Sequence, residues 1–176
     1  MRQFLFTLFL VNLFTSPLVF AADRIHFSVG NITRPANTSP IFNSFRTGIS
    51  WDTDYLKFED EHIQQSLRIE LSTGLNQAET NNVRDISLAP VMHYQFYKLK
   101  GQPFFEISSG AAYISETLWA PYHDLSSHRL FADRIGFGYT IGETEISLNF
   151  FHFSNAGLNK PNPGADMLLI RTSFRL

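Results

Sequence analysis

From residue 24 onward apolar side chains fall on every second position, and that period constrains the chain more than any other feature. In "RIHFSVG", Ile25, Phe27 and Val29 alternate with Arg24, His26, Ser28 and Gly30. In "SFRTGISW", Phe45, Thr47, Ile49 and Trp51 oppose Ser44, Arg46, Gly48 and Ser50; in "LRIELSTGL", Leu67, Ile69, Leu71, Thr73 and Leu75 oppose Arg68, Glu70, Ser72 and Gly74. The pattern continues through Ile86, Leu88, Pro90, Met92, Tyr94 and Phe96, then through Phe105, Ile107, Ser109, Ala111 and Tyr113. It recurs at Ile135, Phe137, Tyr139 and Ile141, at Ile146, Leu148 and Phe150, and at Leu168, Ile170, Thr172, Phe174 and Leu176. Successive side chains of a strand point to opposite faces, so a period of two with one apolar and one polar or glycine face specifies eight strands.

Eight alternating strands fit two architectures. A soluble sandwich or lipocalin-type barrel turns the apolar set inward; an outer-membrane barrel turns it out to lipid and fills its lumen with polar groups. Arg68, Glu70, Glu106, Arg134, Glu145, Arg171 and Arg175 all fall on the polar face, with many small residues between them, and the chain ends on an alternating strand, Phe174-Arg175-Leu176. A narrow lumen can pair such charges, so the expected fold is an all-β, eight-stranded antiparallel transmembrane barrel of the outer membrane. Pro90 lacks a ladder donor, which predicts a bulge or kink there. The polar stretches near 31–40, 54–65, 76–83 and 116–128 read as connections, and Trp51, Trp119 and Tyr122 as interfacial girdle residues.

The N-terminus states the route. "MRQFLFTLFLVNLFTSPLVFAAD" has a basic start at Arg2, an apolar stretch broken at Asn12 and Pro17, and small residues at its end, the pattern of a cleavable export signal covering residues 1–21, with the barrel domain at 22–176. An uncleaved anchor is the alternative reading. No later stretch supplies the ~20 continuous apolar residues of a membrane helix. With no cysteine, disulfides, thiolate metal sites and cysteine nucleophiles are excluded, and a net charge of -2 spread along the chain offers no footprint for nucleic acid. The histidines at 26, 62, 93, 123 and 128 are too scattered in sequence to argue for a metal, so neither metal nor cofactor is expected.

One segment departs from the lipid-facing pattern. Continuing the parity of Ile146, Leu148 and Phe150 places His152 and Ser154 on the same apolar wall, and Asp166 shares the parity of Leu168 and Ile170. His152 and Ser154 should lie ~6.5 Å apart along one face. A hairpin pairing 152 with 166 would bring acid and imidazole to ~4.5–5.5 Å between Cβ atoms, the order an activated serine requires. Taken singly, a rim His or Ser is more often an interfacial polar residue than a catalyst, and an isolated acid after a loop usually caps or solvates it. A charge at the bilayer midplane costs roughly 2–4 kcal/mol, falling toward zero at the interface, so such a trio belongs at the strand ends.

The stretch "FHFSNAGLNKPNPGAD" resembles the active-site segment of the lipid A 3-O-deacylase family, the PagL-type enzymes of Gram-negative outer membranes. His152, Ser154, Asn155, Ala156, Gly157, Pro161, Asn162 and Gly164 stand at that family's spacing, and "FADRIGFGYTIG" resembles its sixth strand. The resemblance implies metal-independent hydrolysis of the ester-linked acyl chain at the 3 position of lipid A in the outer leaflet. His152 would be the base, Ser154 the nucleophile and Asp166 the acid, where the family pattern has glutamate. Donors for the oxyanion would come from the Asn155 side chain, the Gly157 N–H or the Asn162 amide, which the sequence does not rank. Lys160 either meets lipid phosphates or is solvated. A homodimer is compatible with the sequence and not required by it. Two other readings remain: a small structural barrel with an incidental rim His and Ser, and a phospholipase or acyltransferase of the same membrane.

Overall fold

The computed structural model describes residues 22–36 and 42–176; the expected export signal lies outside the described residues. Eight strands close an antiparallel barrel: β1 (Arg24–Arg34), β2 (Ser44–Glu59), β3 (Ile63–Gln77), β4 (Asn82–Phe96), β5 (Pro103–Ile114), β8 (Arg129–Ile141), β9 (Thr144–Ser154) and β10 (Ala165–Arg175). Each pairs with its neighbour in this order, and β10 closes on β1. Two short strands, β6 (Leu118–Ala120) and β7 (His123–Asp124), form a separate ribbon within the connection after β5.

The apolar set points outward. Ile86, Leu88, Ile135, Phe137, Leu148 and Ile170 are all exposed, while Arg68, Glu70, Glu106, Arg134, Glu145 and Arg171 are buried. A continuous apolar wall of this extent is a lipid-facing surface rather than that of a soluble monomer.

The lumen is filled by a lattice of charge-assisted bonds. Arg68 forks onto Glu145 at 2.9 and 3.0 Å and reaches Glu106 at 3.3 Å. Arg134 links Glu106 (2.7 Å), Asn149 (2.8 Å) and Glu70 (3.1 Å), and Arg171 adds a second bond to Glu70 at 2.7 Å. Gly48 makes room for this lattice: a Cβ there would lie 2.5 Å from the buried ring of His26. Toward the loop end Arg46 bonds Asp85 at 2.8 Å and lies over the Phe151 ring, 4.2 Å from its centroid. Beyond it the lumen turns apolar, with Ile32, Val83, Ile114, Phe153, Met167 and Leu169 packed together. Trp119 and Leu125 from the β6–β7 connection drop into that cluster and close the mouth.

Several expectations are corrected. Trp119 is fully buried in the mouth, not in an interfacial girdle, because its connection folds inward. Pro90 produces no bulge: the β4 register with β3 runs unbroken through Ile69↔Pro90. The ladder to β5 skips only from Leu88↔Ala111 to Val91↔Ser108, and Gly110 gives the space, since a Cβ on it would meet the Leu88 carbonyl oxygen at 2.3 Å. Residues 54–65 are mostly strand, with β2 and β3 extending to a tight turn at 60–62. There the Asp60 carboxylate accepts the N–H groups of His62 and Ile63, which holds its pKa below the usual range.

Removing a carboxylate from this lattice strands buried guanidinium groups. Glu70→Ala, which leaves Arg134 and Arg171 without their shared acceptor, should lower unfolding stability in lipid vesicles by about 3–5 kcal/mol. A loss below about 1 kcal/mol, the scale of an exposed pair, would contradict this account of the lumen.

Candidate active site

A row of polar side chains crosses the otherwise apolar outer wall near the loop end. Adjacent strands place them directly opposite one another: Ser109 on β5 pairs with Asp133 on β8, Asp133 with His152 on β9, His152 with Asp166 on β10, and Asp166 with Arg34 on β1. Ser109 Oγ–H donates to Asp133 Oδ1 at 2.6 Å. His152 Nδ1 lies 2.5 Å from Asp166 Oδ1. The hairpin register is thus the one that brings acid and imidazole face to face. Arg34 Nε–H donates to the other oxygen, Asp166 Oδ2, at 2.7 Å.

Ser154 lies two residues beyond His152 on the same outward face, opposite the exposed Phe131. Among the described residues no hydrogen bond joins its hydroxyl to the imidazole. In sites of this kind that bond commonly tightens only when substrate is bound. With Nδ1 engaged by the acid, Nε2 is the ring nitrogen free to serve a hydroxyl on this face.

The imidazole is packed from the loop side. Gly164 has φ +69°, and a Cβ on it would come within 2.7 Å of His152 Cε1, so only glycine fits both the backbone and the ring. His123, from the inward-folded connection, fixes that glycine by donating Nε2–H to its carbonyl at 2.6 Å. The inward neighbours Phe151 and Phe153 anchor β9 in the apolar plug, their rings 5.0 Å apart and edge to face.

The three candidate oxyanion donors separate. Asn155 is buried, its Nδ2 donating to the Leu125 carbonyl at 2.8 Å and its Oδ1 accepting from Gly157 N–H at 2.9 Å. The Gly157 N–H and one of the two N–H donors of the Asn155 amide are therefore engaged, and consecutive positive φ values at Ala156 (53°) and Gly157 (78°) identify a turn. Nothing lies within 4 Å of a Cβ built on Gly157, so this glycine serves backbone conformation rather than close approach. Asn162 uses only its Oδ1, accepting from Asn155 N–H at 3.1 Å, and keeps an amide NH2 for another partner. Lys160 is exposed on the loop.

Sequence reasoning passed over Arg34, Asp133 and His123. Asp133 was legible, since it extends the outward parity of Ile135 and Phe137. Arg34 and His123 were not, because a strand irregularity and a folded-back connection bring them in. Among the described residues one group could hold a metal, His93, Glu106 and Glu145, with ligand atoms within 4.8 Å of one another. Its carboxylates already bond Arg68 and Arg134, which a cation would have to displace.

The chain resembles known proteins in sequence and in fold. Residues 43–175 match the family model described as lipid A 3-O-deacylase (PagL). The lipid A deacylase PagL of Pseudomonas aeruginosa is 30% identical over 128 residues, covering 70% of this chain and 72% of that protein. The lipid A deacylase PagL of Bordetella bronchiseptica is 35% identical over 77 residues, 43% of each chain. The crystal structure of the outer membrane enzyme PagL superposes with a TM-score of 0.74 at 24% identity, covering 87% of this chain and 99% of that one, which marks a shared fold.

Gly164 offers a direct probe of the imidazole's position. Gly164→Ala should leave the barrel folded, as read by its heat-dependent gel mobility, yet lower acyl-ester hydrolysis about 100-fold by displacing the ring. Full activity in the alanine variant would show that His152 has no fixed role.

Proposed function

The chain belongs to the lipid A 3-O-deacylase (PagL) family of the outer membrane, and on that premise we propose that it hydrolyses the 3-position acyl ester of lipid A through Ser154, His152 and Asp166. The observation that carries this reading is the bond between His152 Nδ1 and Asp166 Oδ1 on the lipid-facing wall, with Ser154 on the same face. The start of β1 and the end of β10, paired through Arg24 and Arg175, lie at the rim opposite the connection that carries Trp119 and the 155–164 loop, the rim that faces the periplasm when an even number of strands closes the barrel. The site at the far rim then sits in the outer leaflet, level with headgroups and the first acyl carbons.

The chemistry follows from the groups present. Asp166 holds the imidazole with its proton on Nδ1, leaving the Nε2 lone pair toward Ser154. As Oγ attacks the ester carbonyl, Nε2 accepts its proton, and the imidazolium is stabilised by the adjacent carboxylate. The tetrahedral oxyanion takes a hydrogen bond from the Asn162 NH2, whose two N–H groups are both unengaged and which, unlike Asn155, is not buried. Collapse releases the sugar hydroxyl, protonated by His152, and leaves an acyl-serine. Water, deprotonated by the same nitrogen, then frees the 3-hydroxy fatty acid. No step requires a metal.

Purified barrel in detergent, given lipopolysaccharide, should release 3-hydroxy fatty acid at a rate that Ser154→Ala and His152→Ala each lower at least ~1,000-fold, and that a chelator leaves unchanged. Asp166→Ala should cost less than either. Retention of the wild-type rate by Ser154→Ala would overturn the assignment.

A further inference from the structure

We infer that Arg34 is a positioning residue of this site, turned onto the outer wall by a one-residue bulge in β1 to hold Asp166 against His152. The inference rests on the reading of His152 and Asp166 as base and orienting acid. Along β1, Arg24, His26, Ser28, Gly30 and Ile32 share one face, and His26 and Ile32 are buried in the lumen. By that parity Arg34 would point inward as well, into the apolar plug beside Ile32. It does not, because the register against β10 shifts: Ile32 pairs with Met167, and the next paired position, Asp166, meets Arg34, so two residues of β1 span one of β10. The extra residue reverses the parity, a known use of a bulge beside an active site.

Once outside, the guanidinium divides the carboxylate with the imidazole rather than competing for it. Nε and NH2 of Arg34 lie 2.7 and 2.5 Å from Oδ2, while Oδ1 remains 2.5 Å from His152 Nδ1. A third donor, on NH1, reaches the Pro163 carbonyl at 3.1 Å, tying the acid to the loop whose Gly164 backs the ring. The planar fork suits this geometry. It also bears on the acid itself. Aspartate is one methylene shorter than the glutamate of the family pattern, and a short carboxylate has little freedom to find the imidazole unless its backbone and its second oxygen are both fixed.

The test uses the full barrel, carrying Arg34→Gln or Arg34→Lys, each with Asp166 intact or replaced by alanine, and gel mobility to confirm folding. Arg34→Gln should lower kcat on lipopolysaccharide about 10-fold or more with KM unchanged, since Arg34 acts through Asp166 and not on substrate. Arg34→Lys should recover part of that loss, an ammonium still being able to bond Oδ2. In the Asp166→Ala background Arg34→Gln should add nothing. An unchanged kcat, a rise in KM alone, or equal losses in both backgrounds would overturn the inference. A second readout needs no turnover: in 15N-histidine-labelled barrel, the His152 Nδ1–H resonance should be protected from exchange in wild type and Arg34→Lys and broadened in Arg34→Gln. An unaltered resonance in Arg34→Gln overturns the inference even if wild type proves inactive on lipid A, which is the separate result that would overturn the catalytic reading.

Discussion

Arg68, Arg134 and Arg171 reach across the lumen to Glu70, Glu106 and Glu145, and the rest of the barrel is arranged around satisfying those charges. Buried ions are tolerated only when paired and hydrogen-bonded, so small residues must alternate with large ones and the strands must hold their register. Gly48 gives up its side chain to the His26 ring for this reason. The consequence for function is spatial. With the lumen filled by the ionic lattice and its mouth plugged by Trp119 and Leu125, polar chemistry can meet a lipid only on the outer wall.

That wall is costly ground for polar groups, and the structure shows how the cost is met. Ser109, Asp133, His152, Asp166 and Arg34 occupy five consecutive strands at paired positions near the rim. Neighbouring members bond one another at the two ends of the row, so neither carboxylate faces the lipid boundary unpartnered. The rigid ladder sets the separation of acid and imidazole, and the loop supplies the glycine that backs the ring. Preorganisation is thus divided between sheet and loop, with His123 joining the two through the Gly164 carbonyl.

Much of this was legible in the sequence because a strand's period is two and parity propagates. The eight-strand barrel, the outward apolar set, and the common face of His152, Ser154 and Asp166 all follow from that rule. What parity could not carry was any place where it breaks. The extra residue at the end of β1 moves Arg34 from an inward to an outward position, and nothing in "GNITRPANT" announces it. Trp119 was misplaced because an aromatic in a connection reads the same whether the connection lies on the membrane interface or folds into the mouth. Asn155 and Gly157 carry donors attractive for an oxyanion, yet the same Asn-Ala-Gly triplet builds a turn, and the hydrogen bonds show it does.

Under the proposed function, a serine on the outer wall of this barrel removes an acyl chain from lipid A in the membrane that holds it. The most direct test is mass spectrometry of lipid A from a Gram-negative host producing the full-length chain, beside a host producing the Ser154→Ala chain at equal folded abundance. Only the wild-type chain should yield lipid A lighter by one 3-hydroxyacyl group. Unchanged lipid A in both hosts, or a change that persists with Ser154→Ala, would contradict the proposed function.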